Sequence, residues 1–398
     1  MRMHEKYRRF PHHRGVTLVE LMFAIGILLV GLLGVAALIP LAGFEIDRGL
    51  TADRMSATGR NAVQEFDIRS MRRADMYVNP DGTSFNPNFQ SLHLFPAAQR
   101  SISFCIDPGY LHFHVANTPP ANRTPLLFPS FGPLTSLPEK EARMHRIALR
   151  NHPGGTIMHR LLAERLFVAR DDLAVDRPAD PTLPPQQVYG SNTTRRQYNG
   201  SFSWFATLVP ELHQPTGIFD QYLLSVVVLD DRDLLYDSGL GTTSRPRPIP
   251  ERVVEIELLG GGFGGGEAIL KTASTSPVSI DVRSGDWIML SARAIVSPPI
   301  NVAVARINNS EPVNLVTRDY FRWYQVISSE LDPRPVAGGG WIRQISLEGP
   351  DWSRPEWWDT TLPAVLQMPT RAVMVRDAVG VFEKTIRLEN TSLWDSAP

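Results

Sequence analysis

Three residues near the start of the chain suggest chemistry, namely Gly15, Val16 and Glu20. Glu20 is a single carboxylate at the edge of a stretch that carries no other charged residue as far as Ala42. A charged side chain placed near the hydrocarbon of a bilayer costs roughly 3 kcal/mol on insertion scales. An acid at this position is therefore a functional hypothesis by default, and it requires a partner of opposite charge.

Cleavage of the peptide bond after Gly15 would supply that partner. Val16 would become the first residue and carry a free amine, and Glu20 lies four residues further on, about one helical turn away. When such helices bundle in parallel, the carboxylate of one chain can meet the amine of the next. Because both charges are then neutralised only on assembly, the spacing predicts a protein that polymerises.

A membrane-spanning helix is the element that would position these groups. The uncharged run from Leu21 to Ala42 has 22 residues, which at 1.5 Å per residue reach about 33 Å and span a bilayer. The leader, residues 1–15, holds five basic side chains and one acidic side chain, and such an excess stays cytoplasmic. The sequence predicts a single span over residues 16–42 with the C-terminal region exported.

Two other interpretations of this segment stay open. A secretory signal peptide would have a basic start, a shorter apolar core and a small-residue cleavage site, which would lie near Ala36 and Ala37 or at Ala42. A plain single-span anchor accounts for the length of the apolar run but leaves Glu20 unexplained. Processing after Gly15 accounts for both features, so we prefer it.

The segment resembles the N-terminus of the type IV prepilin family, which includes pilins and the pseudopilins of secretion and DNA-uptake machines. The matching residues are Gly15, Val16, Thr17-Leu18-Val19, Glu20 and the apolar run beyond. The resemblance implies that a membrane-embedded aspartic prepilin peptidase cleaves after Gly15 and N-methylates Val16. It also implies partners that are other pilin or pseudopilin subunits in the inner membrane. Phenylalanine is the commoner first mature residue in that family, and Val16 departs from it.

Removal of the leader changes the net charge. The whole chain has 40 basic and 41 acidic residues, so 35 basic and 40 acidic residues would remain, a net charge of −5. Nothing in that balance favours general nucleic-acid binding, and we predict no nucleic-acid partner.

The single cysteine, Cys105, cannot form an internal disulfide. We expect it to be a buried strand residue, although an intermolecular disulfide stays open.

Helical periodicity continues beyond the span. Pro40 interrupts it, and because proline removes a backbone hydrogen bond we predict a kink near this residue. An apolar stripe at steps of three and four then resumes from Ala52 to Phe66, and Asn79-Pro80-Asp81-Gly82 is a strong stop signal. We predict one helix from about Thr17 to about Met76, within an N-terminal segment of residues 16–79.

The remaining residues predict a β-rich region. Residues 80–250 form a mixed α+β region with proline-rich loops, in which 159–169 is helical and 201–209 and 221–229 are strands. Residues 251–398 are β-rich, and their short strands favour a sandwich or a partly closed barrel. The predicted fold class is α+β, with a long N-terminal helix packed on a mainly antiparallel globular region, which is also the architecture that the resemblance implies.

Three clusters invite a ligand interpretation that their spacing does not support. The glycine run of residues 260–266 lacks the Gly-Lys-Ser/Thr that a phosphate loop requires, so we predict a hairpin connection. His93, His112 and His114 lack the tight ligand pattern of a zinc site. The aspartates at positions 230, 231, 233 and 237 miss the spacing of a calcium loop. We therefore predict that the histidines lie on an ordinary strand face, that the aspartates form a solvated turn, and that no metal binds.

Tryptophans at positions 352, 357 and 358 allow two interpretations. Exposed, they would suit contact with carbohydrate or a partner protein, whereas buried they would close the β core. We favour burial or a subunit contact.

The functional expectation is structural. The sequence contains neither a Gly-x-Ser-x-Gly elbow nor a His-Glu-x-x-His motif, and we predict no enzyme and no cofactor. We expect a prepilin-like subunit of a type IV pilus or a type II secretion pseudopilus. The region after residue 79 is large for a repeating unit, so a minor or tip subunit is favoured. The alternative is a membrane-anchored exported adhesin or binding module, and a membrane-tethered enzyme ranks last.

Overall fold

The computed structural model of the chain describes a long helix followed by β-rich structure. The described residues are 17–90, 99–111, 127–129, 142–169, 175–176, 186–187, 202–211, 221–230, 232, 251–259, 262–296, 316–352 and 370–389. The chain divides into two compact units, Met1–Arg54 and Met55–Pro398.

The helices and strands of the described residues have the following bounds. The helices are α1 (Leu18–Ile68) and α2 (Arg160–Phe167). The strands are β1 (Tyr77–Val78), β2 (Asn88–Gln90), β3 (Gln99–Ser101), β4 (Phe104–Ile106), β5 (Leu127–Phe128), β6 (Met144–Leu149), β7 (Val175–Asp176), β8 (Gln186–Gln187), β9 (Phe202–Pro210), β10 (Gln221–Asp230), β11 (Glu251–Leu258), β12 (Gly265–Thr272), β13 (Trp287–Val296), β14 (Val316–Ser329), β15 (Arg334–Pro335), β16 (Trp341–Glu348), β17 (Arg371–Val375) and β18 (Ala378–Arg387).

Helix α1 ends earlier than the stop signal at residues 79–82 predicts. Its last residue is Ile68 rather than Met76, and the helical assignment continues through Pro40. Ser70 has a φ of 56°, its amide donates to the Asp67 carbonyl, and the Met71 amide donates to the Phe66 carbonyl. This is the hydrogen-bond pattern of a Schellman motif. The predicted end near Met76 is therefore wrong, because a serine takes the left-handed position that glycine usually occupies.

One sheet lies against the C-terminal part of α1. Its order is β1-β6-β4-β9-β10-β18, with β5 added beside β6. Alternate residues of a strand face opposite sides. In β9, Trp204, Ala206 and Leu208 join one buried cluster with Ala62 and Phe66 of α1. We call this layer the helix-backed sheet.

Gly59 sets how closely α1 approaches the helix-backed sheet. A Cβ atom at this position would overlap the ring of Phe382 on β18. Similarly, a Cβ at Gly380 would lie 2.6 Å from the sulfur of Met55. Lys384 of β18 also donates to the Asp67 carboxylate, at 2.8 Å. The glycines therefore permit a helix-to-strand contact so close that a larger residue would force the side chain of Phe382 or Met55 to shift.

The second large sheet closes into a barrel. Strand β12 pairs with β11 and also with β16, and the order continues from β11 through β17, β13 and β14 back to β16. Residues that face inward, such as Ile256, Leu270, Leu290 and Leu347, form its buried core. The sequence predicts a sandwich or a partly closed barrel, and the structure has a barrel that the β12–β16 pairing closes.

The barrel packs on the face of the helix-backed sheet that is turned away from α1. Phe205 and Val227 of the sheet share a buried cluster with Met289 and Phe321 of the barrel. Strands β17 and β18 are consecutive along the chain, yet β17 pairs in the barrel and β18 pairs with β10 in the helix-backed sheet. The order of layers in this unit is therefore helix, sheet and barrel.

The two ends of the barrel are closed by different devices. The 3-10 helix Pro277–Ile280 places fully buried Ile280 in the barrel core at one end. Trp352 lies at the opposite end, 4% exposed, and its ring packs at a tilt of 39° against Tyr320, with centroids 4.8 Å apart. Gly262, with a φ of 80°, passes so close that a Cβ would lie 2.9 Å from the Cβ of Trp352.

Candidate processing and assembly site

Glu20 and Thr17 form the first turn of α1. The Glu20 amide donates to the Thr17 hydroxyl, at 3.3 Å, and the Thr17 amide donates to Oε2 of Glu20, also at 3.3 Å. The Thr17 hydroxyl lies 3.4 Å from the same oxygen. This reciprocal pattern is a capping box, in which two otherwise unpaired amides of the helix start find acceptors. Glu20 therefore has a local structural role as well as its predicted role in assembly.

The position of Glu20 also places its charge favourably. Aligned peptide dipoles give the start of a helix a partial positive charge, which stabilises a carboxylate within the first turn. Glu20 is the acidic residue of that turn in α1. The carboxylate is thus partly compensated in a single chain, without an amine from a neighbour.

The sequence analysis did not identify Thr17 as a functional residue, although a signal was present. The pattern Thr17-Leu18-Val19-Glu20 is the S/T-x-x-E sequence of a capping box, placed directly before an apolar run. Gly15 and Val16 lie outside the described residues, so the predicted cleavage point and the amine remain predictions. Glu20 is the one predicted site residue that lies within the described part of the chain.

The first half of α1 presents apolar side chains to the surroundings. Phe23, Ile27 and Leu33 are between 71% and 74% exposed, and none of the most apolar 18-residue window of the helix is buried. By length and composition α1 can cross a membrane. An exposed apolar surface of this extent marks a site of contact with lipid or with another protein.

A cluster of buried charges lies where the barrel meets the helix-backed sheet. Arg146 on β6 is fully buried and contacts Asp107, at 3.0 Å, and Glu251 at the start of β11, at 2.6 Å. Arg232 contacts Asp107, also at 2.6 Å. The ring of Tyr110 lies 3.8 Å below the Arg146 guanidinium. We call these four charged residues the junction cluster. Its two cations and two anions neutralise each other.

The junction cluster controls the ionisation of Asp107. Burial alone would raise the pKa of this carboxyl, but Arg232 and Arg146 lower it below the ordinary value of 3.8. The group therefore stays ionised in the folded protein.

Cys105 lies nearby and behaves differently, because burial raises the pKa of its thiol well above the ordinary range. The prediction that Cys105 is a buried strand residue is confirmed by its place in β4.

The other clusters singled out in the sequence have ordinary structural roles where they are described. The glycine run connects the antiparallel strands β11 and β12, which confirms the predicted hairpin, and residues 260 and 261 lie outside the described part. Trp352 is buried, as favoured, while Trp357 and Trp358 are not described. His93, His112, His114, Asp231, Asp233 and Asp237 also lie outside the described residues. Within the described residues no three potential ligands cluster as a metal site would require.

Comparison with known proteins gives one match. The family model of the prokaryotic N-terminal methylation motif matches residues 11–36, which include Thr17, Glu20 and the start of the exposed apolar helix. Neither a curated protein nor a solved structure matches the chain. We conclude that residues 11–36 carry the type IV prepilin-like signal, which is characteristic of type IV pilin-like, prepilin-cleaved proteins.

Proposed function

We propose that the chain is a minor or tip subunit of a type IV pilus or a type II secretion pseudopilus. Prepilin peptidase would cleave it after Gly15 and methylate the amine of Val16. The observation that carries the proposal is the methylation motif at residues 11–36, together with the exposed apolar helix that follows. The motif is of a structural kind and implies processing and assembly with other pilins, not catalysis.

The proposed topology is a single pass through the inner membrane. The basic leader stays cytoplasmic until it is removed, and the unit Met55–Pro398 is exported. We propose residues 16–42 as the membrane half of an N-terminal segment that extends to residue 79, followed by regions 80–250 and 251–398. This arrangement places the processing point at the cytoplasmic boundary, within reach of a membrane-embedded peptidase.

Assembly would proceed by bundling of the apolar helices. The exposed side chains between Leu21 and Ile39 would pack on those of neighbouring subunits when the helices leave the lipid. In that dry environment the capped carboxylate of Glu20 would form an ion pair with the Val16 amine of an adjacent subunit. This pair would fix the axial register between the two helices. A buried ion pair is stabilising only when both partners are present, so the pair would favour the assembled state.

A single substitution separates the local and the intermolecular roles of Glu20. Glutamine serves at the third position of a capping box as glutamate does, so Glu20→Gln keeps the helix start while it removes the negative charge. We expect Glu20→Gln to enter filaments at least tenfold less than the wild type. The matched control is Glu45→Gln, which removes another exposed carboxylate from the same helix. Incorporation of Glu20→Gln at the wild-type level would overturn the proposed role of the charge.

The alternative of an adhesin that binds through its tryptophans gains no support from Trp352. This side chain is buried between the barrel core and the turn at Gly262, and its indole donates to the Thr370 hydroxyl at 3.2 Å. It is therefore not available as a contact surface.

A further inference from the structure

A cleft lies where one end of the barrel meets the helix-backed sheet, and no step of the proposed assembly uses it. Its volume is about 640 Å³, within the range of roughly 300–1,000 Å³ that is typical of ligand sites. Strand β10 ends there at Asp230, β13 begins there at Trp287, and the turn between β17 and β18 borders it at Arg376. We call it the junction cleft.

The junction cleft contains desolvated groups of both charge signs. Burial raises the pKa of Asp286, whose Oδ2 atom accepts from the Arg283 amide at 2.8 Å. Burial lowers the pKa of Arg252, whose guanidinium donates to the carbonyls of Ser279 and Asp281 at 2.7 and 2.6 Å. Groups with perturbed ionisation that line a cleft are typical of binding sites.

The mixture of charges limits which ligand fits. An anion attracted by Arg252 or Arg376 would also meet the carboxylates of Asp286 and Asp230. A cation attracted by these carboxylates would in turn meet the two arginines. A neutral ligand with many hydroxyl groups has no such conflict, because each hydroxyl both donates and accepts a hydrogen bond. Hydrogen bonds of this kind to charged partners are also stronger than those between neutral groups.

An aromatic wall completes the cleft. Trp287 packs against the buried cluster between barrel and sheet, yet it is only half-buried and lines the cavity. Its neighbours in the lining, Val282 and Met374, are apolar. Because its contact with the buried cluster already holds Trp287 in place, the exposed part of the indole offers a large apolar surface at low entropic cost. Such a surface suits the C–H face of a sugar ring.

We propose that the junction cleft binds a neutral saccharide. Trp287 supplies the apolar platform, and Asp286, Asp230 and Arg376 supply hydrogen bonds to hydroxyl groups. The inference goes beyond filament assembly, because it concerns the exported unit and uses no residue of the N-terminal helix. A filament subunit with this site would attach to glycans on a surface.

The test uses the full chain in micelles of a detergent without a sugar headgroup. Saturation-transfer NMR is recorded with glucose, galactose, mannose and N-acetylglucosamine, each alone. We expect saturation transfer to at least one of them and a loss of affinity of at least tenfold in Trp287→Ala, with most of the affinity retained in Trp287→Phe. The control is Trp341→Ala, which removes a tryptophan that does not line the cleft.

A second variant keeps the test decisive if Trp287→Ala folds poorly. Asp286→Asn removes one cleft carboxylate at nearly constant volume and should weaken the same sugar about tenfold, while Asp332→Asn, an exposed aspartate outside the cleft, should not. The proposal is overturned if none of the four sugars shows saturation transfer. It is equally overturned if Asp286→Asn binds as the wild type does, or if glucuronate binds more tightly than the neutral sugars. Because filament incorporation is measured separately, the two proposals fail independently.

Discussion

Thr17 and Glu20 act as a pair at the first turn of α1, and each residue has a separable contribution. The carboxylate accepts from the Thr17 amide, and the Thr17 hydroxyl accepts from the Glu20 amide. Loss of either side chain therefore removes one half of the capping box. Only loss of the Glu20 carboxylate also removes the charge that we propose meets a neighbouring amine.

Substitution of Thr17 tests the local half of this arrangement. Thr17→Ala removes the capping hydroxyl, which typically costs about 1 kcal/mol, but it keeps the negative charge of Glu20. We expect the amides of the first helical turn to exchange hydrogen about fivefold faster in micelles, while filament incorporation stays near the wild-type level. Thr51→Ala, within the same helix, is the control. If Thr17→Ala lost incorporation as fully as Glu20→Gln, assembly would require the capped helix start as well as the charge, and the two roles of Glu20 would not be separable.

At the scale of elements, the sequence predicted types better than ends and pairings. The predicted helix at 159–169 is confirmed by α2, and the strands at 201–209 and 221–229 are confirmed by β9 and β10, because their apolar patterns are strong and local. The end of α1 was missed because Ser70, rather than a glycine, takes the positive φ. A serine at that position carries no reliable stop signal.

The approach of α1 to β18 provides a prediction about packing. Gly59→Ala would place a methyl group where the Phe382 ring lies, and overpacking of this kind typically costs about 1–3 kcal/mol. We expect a lower midpoint of thermal unfolding for the unit Met55–Pro398, measured by circular dichroism of the full chain.

Two matched variants check that the cause is the contact with Phe382. Gly49→Ala lies in the same helix with open space around it, so it should leave the midpoint unchanged or raise it, since alanine favours a helix over glycine. The double variant Gly59→Ala, Phe382→Ala should lose less than the two single changes combined. Strict additivity would show that the two residues do not interact.

At the scale of the whole molecule, contacts distant in sequence decide the architecture. Arg146 and Glu251 are separated by 105 positions along the chain. The barrel is closed by the pairing of β12 with β16, two strands that are also far apart in the sequence. Neither could be predicted from a single sequence, since periodicity reports which face of an element is buried and not what covers it. The barrel itself was one of two stated alternatives.

The junction cluster predicts how stability depends on pH. The folded pKa of Asp107 lies below its ordinary value of 3.8, so the unfolded chain takes up this proton at a higher pH than the folded chain does. The stabilisation is therefore complete above the ordinary value and is lost as the pH falls through the folded pKa. Asp107→Asn removes that contribution and leaves the two buried arginines, Arg146 and Arg232, with the single carboxylate of Glu251.

We expect Asp107→Asn to lose about 3–5 kcal/mol of unfolding free energy at pH 7, as is usual for a broken buried ion pair. Below pH 4 the difference from the wild type should narrow, because the wild type then loses the same contribution. Urea unfolding of the full chain between pH 7 and pH 3 measures both effects, with Asp332→Asn, an exposed carboxylate, as the control. A difference that stayed constant across this range would show that folding does not lower the pKa of Asp107.

The most direct test of the proposed function is the mass of the N-terminal peptide of the protein purified from its own cells. We predict a peptide that begins at Val16 with one methyl group on its amine, and an intact leader when the prepilin peptidase gene is deleted. A mature protein that still contains Met1 to Gly15 in cells with the peptidase, or one cut near Ala36 or Ala42 instead, would contradict the assignment.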